Sequence, residues 1–230
     1  MLIARYFKDF IDLIYPRTCP TCGELLNQSE PWLCSACLLD MPESDFWKMA
    51  TNPVNQIFWG RTKIVFASAY LLFAKGSRYR KLIHSLKYKN DQESGIQLGL
   101  YFGKAIAKES LYPKIDFIIP VPLHPKKQKI RGYNQSECIA KGLSGSLNAP
   151  VLTDVLLRQV HTKTQTKMNK EERWDNVSGA FVIDNMDFID NKHVLLVDDV
   201  ITTGATIEHC ANTLLENSKC RVSIACLARA

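Results

Sequence analysis

The sequence predicts an α/β fold, a mainly parallel sheet with flanking helices, preceded by a small N-terminal module built on four cysteines. Three observations carry that expectation. Apolar runs rich in Val, Ile and Phe alternate with stretches of helical periodicity. Two Cys-x2-Cys pairs stand close together near the N-terminus. One run, residues 194–206, reads as a buried strand ending in two carboxylates, followed by a Thr/Gly turn that opens a helix.

The 230 residues are enough for one α/β domain plus a short module, and the 46% hydrophobic content supports a sizeable core. Residues 1–15 place Ile3, Phe7, Phe10, Ile11 and Ile14 at helical spacing. Asp9 and Asp12 stand where a signal peptide needs apolar residues, so an amphipathic helix docked on the protein is expected instead. No apolar run reaches the length of a membrane span, and a cytoplasmic location is expected. The division expected is 1–45 for the N-terminal helix and ribbon, 46–62 for an aperiodic linker containing Pro53, and 63–230 for the α/β domain.

Cys19, Cys22, Cys34 and Cys37 form the pattern C-x2-C, eleven residues, C-x2-C. Each tight turn points two thiolates at one ion, and two such turns complete a tetrahedron. Without a secretion signal a disulfide should not persist, so structural Zn2+ is the expected ligand. Four thiolates leave no coordination position for water, which excludes a catalytic role for that ion.

In the α/β part, strands are expected at 64–73, 115–121, 193–197 and 221–227, and helices at 79–88, 96–109, 135–147 and 205–217. Open α/β sheets place ligands at the C-terminal ends of their strands, which is where Asp198 and Asp199 fall. The turn Thr202, Thr203, Gly204, Ala205, Thr206 then offers hydroxyls and backbone N–H groups at a helix start, a cradle for a phosphate dianion. Two acids beside a phosphate would repel it unless they served sugar hydroxyls or a divalent cation.

Net charge is +6, and residues 120–174 hold ten basic side chains against four acidic ones. That bias suits a diphosphate or a nucleic-acid backbone without choosing between them. No G-x-x-x-x-G-K-[ST], H-E-x-x-H or G-x-S-x-G motif is present, which argues against a P-loop motor and the commonest metalloprotease and serine hydrolase designs.

The run 194–206 resembles the signature of type I phosphoribosyltransferases. The resemblance implies Asp198 and Asp199 as ribose ligands and Thr202, Thr203, Gly204, Ala205 and Thr206 as the loop for the 5-phosphate. Purine salvage members carry a third acid where this chain has Thr202, so a purine acceptor is disfavoured. Further segments widen the likeness: Leu86-Lys87-Tyr88-Lys89-Asn90, Pro120-Val121-Pro122-Leu123-His124, Arg131-Gly132-Tyr133-Asn134-Gln135, Arg158, Thr164-Gln165-Thr166 and residues 173–181. With the ribbon, these resemble the ComF family of bacterial competence proteins (ComFC/GntX-like) over nearly the whole chain.

That resemblance implies a phosphoribosyltransferase-like domain that binds 5-phosphoribosyl 1-diphosphate with Mg2+ and is associated with DNA uptake in natural transformation. Lys87 and Tyr88 would hold the diphosphate, and Lys126, Lys127, Lys129 and Arg131 would lie on a mobile loop closing over it. Arg131 and Lys87 are the candidates for stabilising charge leaving C1. No general base stands out and the acceptor is open. The alternative is a non-catalytic module that senses the ribose phosphate or engages single-stranded DNA or DNA-uptake proteins. His124 reads as a structural residue as readily as a ligand, and the same holds for His84, His161, His193 and His209.

Overall fold

The computed structural model describes residues 16–74, 76–158, 181–184 and 186–229. The N-terminal amphipathic helix, the Thr164-Gln165-Thr166 segment and all but the last residue of 173–181 therefore lie outside the described residues. In chain order the elements are α1 (Ser35–Leu39), β1 (Ala67–Leu72), α2 (Arg80–Tyr88), α3 (Gln92–Ile106), β2 (Phe117–Pro120), α4 (Pro125–Arg131), α5 (Gln135–Leu147), β3 (Leu156–Arg158), β4 (Phe181–Ile183), β5 (His193–Ile201), α6 (Ala205–Asn217) and β6 (Arg221–Arg229).

Four strands form a parallel sheet in the order β1-β6-β5-β2, and β3 and β4 pair antiparallel beside it. Alternation along β5 sends Leu195 and Val197 to one face, where they meet Phe102, Ile139 and Leu143 of α3 and α5. Val194 and Leu196 go to the other, against Ile207 and Leu214 of α6. The strands of the parallel sheet bury both faces, which is why their sequences read as continuous apolar runs.

The expected helices at 135–147 and 205–217 match α5 and α6. The helix expected from 96 begins instead at Gln92, because Asp91 caps it by accepting from Ser94 N at 3.1 Å. β5 runs past Val197 to Ile201, since β6 is long enough to pair with it throughout. The two acids therefore sit on the ladder itself, Asp198 opposite Cys226.

α3 and α5 approach closely through glycines. A Cβ on Gly142 would stand 2.0 Å from Ile96 O, and one on Gly99 2.3 Å from Ile139 O. Gly142→Ala is expected to force the helices apart and cost about 3 kcal/mol, read as a lower denaturant midpoint at unchanged m-value. Gly145→Ala, whose Cβ would meet only Leu100 Cδ1 at 3.8 Å, serves as the near-neutral control.

Residues 46–62, expected to be a linker, are packed in place. Trp47, Val54 and Phe58 are buried, and Asn52 Nδ2 donates to Ala67 O at 3.0 Å while its Oδ1 accepts from Val54 N and Asn55 N. Asn55 Oδ1 in turn accepts from Ala67 N at 3.1 Å. The segment is ordered by side-chain-to-backbone bonds, which leave no hydrophobic period to read.

Candidate functional site

The four cysteine sulfurs lie within 4.8 Å of one another, and Cys22 Sγ stands 3.7 Å from Cys34 Sγ. Ligands about 2.3 Å from a tetrahedral Zn2+ are about 3.8 Å apart, so the donor set fits that ion. Burial and the adjacent sulfurs push the Cys37 thiol up. At Cys19 burial is outweighed by hydrogen bonding to the backbone of Cys22, Cys34 and Thr21, which brings the thiol down to about 6. A divalent cation would relieve the crowding of four sulfurs.

The ribbon is fused to the α/β domain. Cys19, Trp32, Leu33 and Cys37 belong to the same core as Trp47, Tyr70, Leu82 and Phe102. Trp32 Nε1 donates to Ser94 Oγ on α3 at 2.8 Å, and Tyr79 OH donates to Cys37 O at 2.8 Å.

At the C-terminal edge of the sheet, the sequence-predicted residues come together. Asp198, the end of β5 and the start of α6 line a recess of about 60 Å3, sized for a phosphoryl group. Gly204 is the N-cap of α6 with φ +78°, a conformation that favours glycine, and it makes no side-chain cap bond. Residues 202–207 line the recess at the positive end of the helix dipole, with Ala205 N donating to Thr203 Oγ1 at 3.5 Å.

Asp198 is partly buried. Its Oδ1 accepts from Ser136 Oγ at 3.0 Å and from Asp199 N at 2.8 Å. Burial, and then the neighbouring Asp199 charge, raise its pKa from 3.8 to about 7. Asp199 Oδ2 pairs with Lys87 Nζ at 3.0 Å. Lys87 therefore sits in the last turn of α2 against the second acid, where a diphosphate contact alone was expected.

Tyr88, 66% exposed, follows Lys87. Arg131 Cζ lies 5.6 Å from the centre of the Tyr88 ring, and the His84 ring lies tilted at 39° to it, 4.7 Å between centroids. Arg131 Nη1 also donates to Gln135 Oε1 at 2.7 Å, and Tyr133 OH donates to Leu86 O, so the 86–90 and 131–135 segments are tied together. The basic loop expected at 126–131 is instead the helix α4. Pro125 starts it, His124 Nδ1 accepts from Lys126 N at 3.2 Å, and Gly132 at φ +80° ends it.

Sequence reasoning missed Ser136 and gave Asn134, quoted within the 131–135 segment, no role of its own. Asn134 caps α5 by accepting from Ser136 N at 3.1 Å and donates to Val121 O at 3.0 Å, which aims Ser136 at Asp198. An N-cap signal was present, an Asn before a helix, but its link to β5 was not. Next to β2 lies a cleft of about 350 Å3 whose polar lining includes Asn134, Glu137 and Arg158.

Residues 134–230 match the family model described as the phosphoribosyl transferase domain. The chain is similar to the Haemophilus influenzae protein called Competence protein F, 36% identical over 134 residues, and spans 58% of that protein with 57% of its own length. It is 29% identical over 220 residues to the Salmonella typhimurium protein called DNA utilization protein YhgH, covering 92% of this chain and 83% of that one. Among solved structures it is similar to glutamine phosphoribosylpyrophosphate amidotransferase from B. subtilis, at 20% identity and TM-score 0.44, over 63% of this chain and 30% of that one.

Proposed function

The chain belongs to the ComF family of competence proteins and has the phosphoribosyltransferase fold, and on that premise we propose that it binds 5-phosphoribosyl 1-diphosphate with Mg2+ and transfers the phosphoribosyl group to a nitrogenous acceptor in the cytoplasm. One observation carries the reading: a phosphoryl-sized recess at the start of α6 opens directly beside the paired acids of β5. The amides of residues 203–206 and the hydroxyls of Thr202, Thr203 and Thr206 bind the 5-phosphate, and Asp198 and Asp199 take the sugar hydroxyls. Carboxylate oxygens also suit Mg2+, which when bound would neutralise diphosphate charge.

In the transfer, the C1–O bond to diphosphate breaks with its electron pair going to the leaving group. An acceptor nitrogen forms the new C1–N bond and loses its proton to solvent. Lys87, oriented by Asp199, and Arg131, steadied by Gln135 and Tyr88, supply positive charge toward the diphosphate. Catalysis then rests on positioning and charge, with no covalent nucleophile. The relatives' names, which speak of competence and DNA utilization, support a role in handling DNA, and single-stranded DNA or DNA-uptake proteins are the proposed partners.

Incubation with Mg2+, labelled 5-phosphoribosyl 1-diphosphate and a panel of nitrogenous acceptors tests the reading. Acceptor-dependent diphosphate release is expected. Tight binding with no release beyond solvent hydrolysis would make the protein a ribose-phosphate sensor instead of a transferase.

The raised pKa of Asp198 adds a pH dependence. Between about pH 4 and 7 the folded protein holds a proton at this site that the unfolded chain has lost. The contribution of Asp198 to stability therefore falls as pH rises through that window. Ligand and Mg2+ need the carboxylate, so affinity is expected to rise from pH 6 to pH 8, by about tenfold. Calorimetry in two buffers of different ionisation heat should register release of a proton on binding at pH 6.5.

A further inference from the structure

Residues 57–61 reach the turn at Thr203 and Gly204 and the helix start at Glu208. Arg61 lies against Glu208 in a two-pronged pair, Nε donating to Oε1 at 3.0 Å and Nη2 to Oε2. Its Nη1 also reaches Ile57 O at 3.3 Å and Thr203 O at 3.5 Å. A Cβ on Gly204 would stand 2.7 Å from Ile57 Cγ2, so this segment also fills the space behind the glycine.

Glu208 belongs to the first turn of α6, with its side chain only 15% exposed. A carboxylate there favours the empty helix end through the dipole. The same charge opposes a phosphate dianion arriving at that end. Arg61 answers both problems, because one guanidinium neutralises Glu208 and holds the carbonyl side of Thr203, leaving the amide side directed at the recess.

We propose that Arg61 is a positioning residue for the 5-phosphate, acting through Glu208 and Thr203 rather than by touching the ligand. This inference rests on the reading that the turn binds ribose 5-phosphate. Arg61 is 44% exposed, so the ion pair adds little to global stability. Its weight falls on the electrostatics and shape of the turn.

Calorimetric titration with ribose 5-phosphate at low salt, paired with thermal midpoints, tests it. Arg61→Met is expected to weaken binding about tenfold while moving the midpoint by less than about 3 °C. Glu208→Gln should bind at least as tightly as the wild type, and the double variant should regain most of the affinity lost in Arg61→Met. Arg61→Lys, which keeps the charge but not the fork, should lie between wild type and Arg61→Met.

Wild-type affinity in Arg61→Met would overturn the inference while leaving the ribose-phosphate site intact. So would a double variant no better than Arg61→Met, since a purely structural brace would not be rescued by removing a charge. If Arg61→Met proves poorly folded, Glu208→Gln decides: undiminished binding supports the inference and weakened binding overturns it. A wild-type protein without affinity for ribose 5-phosphate would remove both this inference and the reading beneath it.

Discussion

Stripping metal from the protein with a strong chelator is expected to lower its thermal midpoint by more than about 10 °C. The size of the effect follows from where the cluster sits. Cys19 and Cys37 are each 1% exposed and share a core with Trp47, Tyr70 and Leu82. Without an ion, four sulfurs confined within 4.8 Å must carry protons or repel, which strains the ribbon where it joins the core. Its loss would expose Trp32 and Leu33 and release Tyr79 from Cys37 O, loosening the start of α2. Since α2 delivers Lys87 to Asp199, ribose-phosphate affinity should fall with metal content. Cys37→Ser should reproduce both losses, whereas Cys138→Ser, outside the quartet, should retain one Zn2+ per chain by elemental analysis. Metal-free protein with the midpoint of the untreated material would refute a structural ion.

Replacing both acids, Asp198→Asn with Asp199→Asn, is expected to weaken binding of ribose 5-phosphate at least about 100-fold at pH 8, because two charge-assisted hydrogen-bond sets to the sugar are lost. The single variants should differ in stability. Asp198 is held near its neighbour's charge in a partly buried position, so Asp198→Asn removes a repulsion and should raise the ligand-free midpoint by a few degrees. Asp199→Asn instead leaves Lys87 without its carboxylate and should lower it. The rise of affinity between pH 6 and 8 should disappear in Asp198→Asn and persist in Asp199→Asn. Circular dichroism melts and calorimetry on the same samples separate these outcomes. Unchanged affinity in the double variant would show that the acids do not contact the sugar.

Much of the site is local and therefore visible in the residues alone. A strand, two acids, a Thr/Gly turn and a helix follow one another within residues 194–206, and each has its own signature of period, charge or turn chemistry. The cysteine pairs are equally local, because two-residue spacing already constrains where the thiolates point. The segment 46–62, expected as a linker, is held by Asn52 and Asn55 through backbone contacts with Ala67, and such contacts carry no periodicity to read. The expected loop at 126–131 became α4 because a proline start and a glycine stop outweighed a basic, weakly amphipathic stretch.

The amino-acid sequence by itself determined the class of fold, the four-cysteine cluster and the strand-turn-helix proposed to bind phosphate, since these depend on neighbours a few residues apart. Tertiary structure alone decided which distant side chains serve that turn. Ser136 reaches Asp198 across 62 residues and Arg61 reaches Glu208 across 147. Those pairings follow from the strand order β1-β6-β5-β2 and from which helix ends it brings to the C-terminal edge of β5. Hydrophobic periodicity records which face of an element is buried, and it says nothing of which partner that face will meet.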